Sequence, residues 1–143
     1  MEDNVLEGLD DATREEVERL TKITRKSDSD ENFALAKRRL AEIYYNHGFF
    51  DKSLKMSELI RLQDSEELYE KSQYSIAAAY GRQGKIEQAL EIWSKVKDSF
   101  PDIYAKAQYS IGLVLSSEGK TREAKIAWNN VKKDANREAY AKA

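Results

Sequence analysis

The sequence has 143 residues, 35% of them charged and 41% apolar, with one proline and a formal net charge of −2 at neutral pH. This is enough chain for one domain with a real core, and the mixture suits a soluble helical protein better than a disordered one. The near-balanced charge leaves no uniform basic field for phosphate, so nucleic acid is not an expected partner, and the absence of cysteine excludes disulfides and thiolate metal sites.

Residues 1–9 carry Val5, Leu6 and Leu9 without a clear period and are read as mostly irregular, with room for one short turn packed on the first helix. Thr13-Arg14-Glu15-Glu16 reads as a capping box, in which the threonine oxygen and the glutamate carboxylate satisfy free amides at a helix start. The helix begun there carries Val17, Leu20 and Ile23 or Thr24 on one face. It is expected to end near Lys26, where Lys22, Arg25 and Lys26 suit the negative helix terminus. Ser27-Asp28-Ser29-Asp30 is a polar break. Asp28, Asp30 and Asn32 have the spacing of the first three ligands of a calcium loop, but Phe33 and Arg39 stand where glycine and glutamate are needed. A linker with helix-capping acids is the better reading.

From Phe33 the pattern predicts a helix to about Asn46, with Ala36, Leu40, Ala41, Ile43 and Tyr44 on its apolar side. Asn46-His47-Gly48 ends it, because glycine tolerates the left-handed backbone found just past a helix end. A second helix carries Phe50, Leu54, Met56, Leu59 and Ile60. Gln63-Asp64-Ser65 is the next break, with Asp64 and Glu67 placed to cap a third helix. Tyr69, Ile76, Ala77 and Tyr80 lie on that helix, and Arg82-Gln83-Gly84 turns the chain. Ile86, Ala89, Leu90, Trp93 and Val96 then recur at spacings of three and four. Phe100-Pro101-Asp102 breaks and restarts the chain, proline being suited to a first helical turn. Tyr104, Ala107, Ile111, Gly112 and Leu115 mark another helix, Gly119 turns it, and Ala124, Trp128 and Val131 face the last.

Much of this is written twice. Gln73-Tyr74-Ser75-Ile76 returns as Gln108-Tyr109-Ser110-Ile111, Gly84-Lys85 as Gly119-Lys120, Ala89 as Ala124 and Trp93 as Trp128, each pair 35 residues apart. A fixed period of this size marks a stacked array of helix pairs. Residues 33–68 are a weaker copy offset by 36, with Leu40, Ala41, Tyr44, Gly48, Ser53 and Ile60 in register and Ser57 in the tryptophan position. Tyr140-Ala141-Lys142-Ala143 repeats Tyr104-Ala105-Lys106-Ala107, so a fourth unit begins there, unless these residues close the chain as a short final helix. The predicted organisation is an N-terminal segment and capping helix over 1–30, then an array over 31–143 with repeats at 33–68, 69–103 and 104–139 and the start of another at 140–143.

The pattern resembles the tetratricopeptide repeat, on Ile76, Ala77, Tyr80, Gly84, Ala89, Trp93 and Pro101, and again on Ile111, Gly112, Leu115, Gly119, Ala124 and Trp128. It departs at Gln73 and Gln108, where the family has a large residue, at Ile60, Val96 and Val131, where it has a small one, and at Asn136, where proline is expected. The resemblance implies an all-α, right-handed superhelical solenoid of antiparallel helix pairs. It also implies a non-enzymatic scaffold or adaptor that binds a peptide or partner protein on the concave face of the first helices. By register that face would carry Arg38, Glu42 and Tyr45, then Lys71, Tyr74 and Ala78 with Arg82, then Lys106, Tyr109 and Leu113. Tyr74 and Tyr109 are the favoured contacts, unless they pack between neighbouring first helices. Some members of the family grip a C-terminal carboxylate at the positions of Arg38 and Glu42; a glutamate would repel it. The alternative function is a structural module that oligomerises through an exposed array end at Val131, Ala135, Ala139 and Tyr140.

Nothing in the sequence assembles a reaction centre. His47 precedes a helix-ending glycine and reads as a cap, and no second histidine or cysteine exists to complete a zinc or nucleophile site. The glycines stand singly at turns, not in a phosphate loop. No cofactor and no metal are expected. The acidic N-terminus and the lack of a spanning apolar run predict no signal peptide, no membrane anchor and a cytoplasmic location.

Overall fold

One backbone turn, used three times, sets the path of the chain. In the computed structural model, which describes residues 8–133, Gly84 has φ of 81°. Its N–H donates to Gly81 O at 3.1 Å, and the Lys85 N–H donates to Tyr80 O at 2.9 Å. This is a Schellman closure, and its left-handed residue is cheap only for glycine. The same two bonds recur around Gly48, from Gly48 N to Tyr45 O and Phe49 N to Tyr44 O, and around Gly119, from Gly119 N to Ser116 O and Lys120 N to Leu115 O. The segment read as the weaker copy therefore shares its turn with the two clearer ones.

Seven helices result among the described residues: α1 (Asp11–Thr21), α2 (Asp30–Asn46), α3 (Phe50–Glu58), α4 (Glu66–Arg82), α5 (Ile86–Ser94), α6 (Pro101–Ser117) and α7 (Thr121–Lys133). No strand occurs among those residues. The glycine turns fold α2 on α3, α4 on α5 and α6 on α7 as antiparallel pairs. The chain forms two compact units, 1–72 and 73–143, whose boundary falls inside α4. The start of a fourth repeat at 140–143 lies outside the described residues, as do Ala135, Ala139 and Tyr140 of the expected array end; Val131 is fully buried, not on an open end.

In the first unit, α1 covers one side of α2. Leu9, Val17 and Leu20 pack with Ala36, Leu40, Ile43 and Tyr44, and Arg39 holds Glu16 through two bonds of 2.9 and 3.1 Å. Leu9 is thus core, although its surroundings show no period. Three boundaries differ from expectation. Asp10, not Thr13, caps α1: its carboxylate accepts the Thr13 N–H at 2.7 Å, and Glu16 turns to Arg39. The helix stops at Thr21, short of Lys26, because Thr24 and Ser27 bond each other's backbone and side chains, an arrangement that competes with helix. α2 begins at Asp30, three residues before Phe33, with Ser29 as its cap accepting the Asn32 N–H at 3.0 Å. Asp28 accepts from Ser29 N and the Asn32 side chain, so its carboxylate orders the linker.

α3 lies against α2 at a close approach of Ala41 and Ser53. Ser53 is buried, and its hydroxyl donates to Ala41 O at 2.8 Å, so a polar group at a packing position is satisfied. Leu59, expected on the apolar side, is 43% exposed, because the helix has already ended at Glu58. Asp64 does not cap α4; Ser65 does, accepting the Leu68 N–H at 3.2 Å. Asp64 instead takes both arms of Arg25 at 2.8 and 2.7 Å and the Arg61 N–H at 2.9 Å. Arg25 also donates to Leu59 O and stacks on Phe33, 4.0 Å from its ring centre. The Arg25 guanidinium first, and the Arg61 amide with it, hold the Asp64 carboxyl below its ordinary range against the opposing effect of burial.

In the second unit the core is Ala77, Ala89, Trp93, Val96, Ile103 and Ala107, with Tyr74, Tyr80, Leu90, Ile111 and Val114 packed around it. Burying a tryptophan removes on the order of 200 Å² from water, about 5 kcal/mol before entropy. The two tryptophans seat differently. Trp93 is 4% exposed, and a methyl group on Gly81 would sit at an ordinary 3.6 Å from its ring. Trp128 is half-buried and lies so close to Gly112 that a Cβ there would fall 2.2 Å from Nε1 and 2.5 Å from Cδ1.

Two outcomes are expected. Gly112→Ala adds about 1 kcal/mol of helix propensity but overpacks a site with no room, and overpacking costs about 1–3 kcal/mol, so the variant should be less stable in urea. In a Trp128→Leu background the same change should become neutral or stabilising, read as a double-mutant cycle. Asp64→Asn should lose about 2 kcal/mol at pH 7, because Arg25 keeps its place but not its counter-charge. Since the native pKa of Asp64 lies below the ordinary value of 3.8, its contribution is present above about pH 4 and fades as pH falls through the lowered value, so the gap between variant and parent should narrow in acid.

Candidate protein-binding surface

The expected contact residues fall into two sets. In the first unit, α2 presents Arg38 and Tyr45 half-buried and Glu42 exposed. Glu42 pairs with Arg39 on its own helix, and the Tyr45 ring meets Phe50 edge-on at 5.4 Å. On α4, Lys71 is paired with Glu67 one turn earlier at 3.1 Å.

The second unit brings α4 and α6 together. Tyr74 is half-buried: its ring lies 6.2 Å from that of Trp93, and its hydroxyl is 3.1 Å from Ser110 Oγ. It therefore packs between neighbouring first helices, tying one to the next. Ala78 is half-buried beside the same core, and Arg82 is exposed at the end of α4. Tyr109 is half-buried. Lys106 is exposed, and Leu113 is 48% exposed. Helical rotation puts Lys106, Tyr109, Ser110, Leu113 and Ser117 in one stripe along α6.

Behind this stripe the helix is firmly seated. Ile103, Ala105, Ala107, Gln108 and Gly112 are buried, and the Gln108 side-chain oxygen accepts from Asn130 Nδ2 on α7 at 2.9 Å. Ser110 and Gln108 were not expected as structural partners, although both belong to the repeated Gln-Tyr-Ser-Ile block. Nor does any sequence pattern foretell an open hollow of about 310 Å³ in the first unit, lined by Leu20, Ile23, Asp28, Asn32, Leu35 and Ala36.

His47 Nδ1 bonds Ile43 O at 2.8 Å and closes the end of α2. Among the described residues no group of three histidine, aspartate or glutamate side chains converges as metal ligands, and no helix is long and apolar enough to cross a membrane. Lys37 is buried along its stem with its ammonium over the Phe33 ring at 5.3 Å, and burial lowers its pKa.

Comparison with known proteins agrees with the repeat. Residues 71–102 match the family model of the tetratricopeptide repeat. No curated protein and no solved structure matches the chain significantly. The matched stretch takes in the Gly84 turn, Ala89 and Trp93, and the unit after it carries the same turn at Gly119 with Ala124 and Trp128. Repeats of this kind generally mediate contacts between proteins and are generally not enzymatic. That match supports a tetratricopeptide-repeat protein through one repeat, residues 71–102.

Proposed function

We propose that the second unit is a protein-interaction module that receives a segment of a partner protein on the exposed stripe of α6 and the neighbouring turns of α4. The observation that supports this most is the exposure of Leu113 between Tyr109 and Ser117, on a helix whose other side is packed. An exposed leucine alone means little; here it shares a stripe with a half-buried tyrosine and an exposed lysine. The backing is rigid, since Tyr74 holds Ser110 and Gln108 holds Asn130, so little order is lost on binding. Arg38, Glu42, Tyr45 and Lys71 are proposed as secondary contacts of the first unit, tuned by the pairs that Glu42 and Lys71 already make.

The test uses peptides selected from a random displayed library against the whole chain, with amide shifts mapped by NMR. Shifts at Ala78, Lys106, Tyr109 and Leu113 support the reading; shifts confined to the outer face of α7, around Ile126, reject it. Lys106→Glu and Leu113→Asp should each weaken such peptides about tenfold, equivalent to about 1.4 kcal/mol, without changing the melting temperature. Tyr74→Phe should behave the other way. Loss of the bond to Ser110 should cost about 1 kcal/mol of stability in denaturant and leave peptide affinity within about twofold.

A further inference from the structure

The α6 stripe has an order along its length. Lys106 lies two turns before Leu113, with Tyr109 between them, and the two anchors are about 10.5 Å apart along the axis at the usual helical rise. Lys106 makes no ion pair among the described residues, whereas Asp102, one turn earlier, is engaged within the protein. Of Lys106, Tyr109, Ser110, Leu113 and Ser117, only Lys106 is charged, so the stripe itself is positive. Resting on the interaction proposed for this face, we infer that its occupant is a short extended segment with an acidic side chain three residues from a branched aliphatic one.

The narrow apolar footprint selects extended over helical, and the anchor spacing accommodates it. A docked helix needs a broad apolar stripe of its own on the receiving surface. Leu113 is instead flanked by Ser110 and Ser117, so the apolar footprint is narrow, Leu113 with the half-buried Tyr109 ring one turn before it. A polyproline-type segment has three residues per turn and rises about 3.1 Å per residue, so side chains three apart share a face at about 9.3 Å. The flexible lysine stem covers the small remainder. The half-buried ring of Tyr109, between the two anchors, supplies a flat apolar rest for the intervening backbone.

The probe is a fluorescein-labelled peptide, Pro-Glu-Pro-Pro-Leu-Pro-Pro-Glu-Pro, which places an acid three residues to either side of leucine and so serves both chain directions. Binding to the whole chain is followed by anisotropy and by amide shifts. Affinity should fall at least tenfold when both glutamates become glutamine, when leucine becomes alanine, or in Lys106→Glu protein. A peptide with lysine for glutamate should bind Lys106→Glu protein better than the parent. Failure of the probe to bind, indifference to the glutamates, or failure of the charge swap overturns the inference. If library-selected peptides shift Tyr109 and Leu113 but carry no acid three residues from an aliphatic residue, this inference falls and the interaction reading stands. If their shifts lie elsewhere, both fall.

Discussion

Each helix pair depends on how closely its two members can approach after the glycine turn. A second helix of nine residues, such as α3 or α5, is too short to hold its place by backbone bonds alone. It stays because a small residue on the first helix lets it come near. The position is Ala41 in the first pair, Ala77 in the second and Gly112 in the third. The third goes furthest: with no Cβ at Gly112, the Trp128 indole occupies the space a methyl would need. Glycine in a helix interior costs about 1 kcal/mol relative to alanine, which the contact with a large ring can offset. The same repeat position is thus filled by different residues because the partner ring arrives at a different depth.

The first pair solves the problem with polar means. Its tryptophan position is Ser57, which is buried, and its alanine position is Ser53, whose hydroxyl is satisfied by Ala41 O. Without a tryptophan between α2 and α3, the first unit draws on α1, on Phe33 and on the Arg25–Asp64 pair. That pair closes with three hydrogen bonds from Arg25, two to Asp64 and one to Leu59 O, and a fourth to Asp64 from the Arg61 amide. With the Asp64 carboxylate buried and Arg25 half-buried, the pair adds less stability than its geometry suggests, because desolvation opposes the attraction. Its larger contribution is registration: it fixes the segment after α1 against the segment before α4, where no period in the sequence holds them.

The parts of the fold that repeat could be read in advance, and the parts that happen once could not. The turns at Gly48, Gly84 and Gly119 and the alanine and tryptophan positions recur at 35 or 36 residues, and each is an independent statement of the same packing. Arg25 and Asp64 are 39 residues apart and belong to no period, so no pattern joins them. The start of α1 was read at Thr13, whereas Asp10, three residues earlier, supplies the cap and Glu16 is drawn to Arg39 on another helix. The end of α1 depends on Thr24 and Ser27 preferring each other to the helix. Of the surface residues, Lys106 and Leu113 stand exposed, whereas the packing of Tyr74 could not be read because its partner, Ser110, lies 36 residues on.

The fate of Tyr74 bears on how the face proposed for binding can vary without loss of the fold. Tyr74 and Tyr109 occupy the same position of successive repeats, yet Tyr74 is bonded to Ser110, one residue after its own copy. A tyrosine that locks two first helices together cannot also turn toward a ligand without breaking that bond and leaving the Trp93 ring. On the interaction proposed for this face, specificity then falls to neighbours that carry no packing duty. Lys106 and Leu113 are of that kind: both are exposed, and neither belongs to the buried core. Substitution at those two positions alters charge and shape at the surface while the Tyr74–Ser110 tie, the Gln108–Asn130 tie and the Gly112 contact stay intact. On the interaction proposed for this face, a repeat built this way separates the residues that hold helices together from those that would meet a partner.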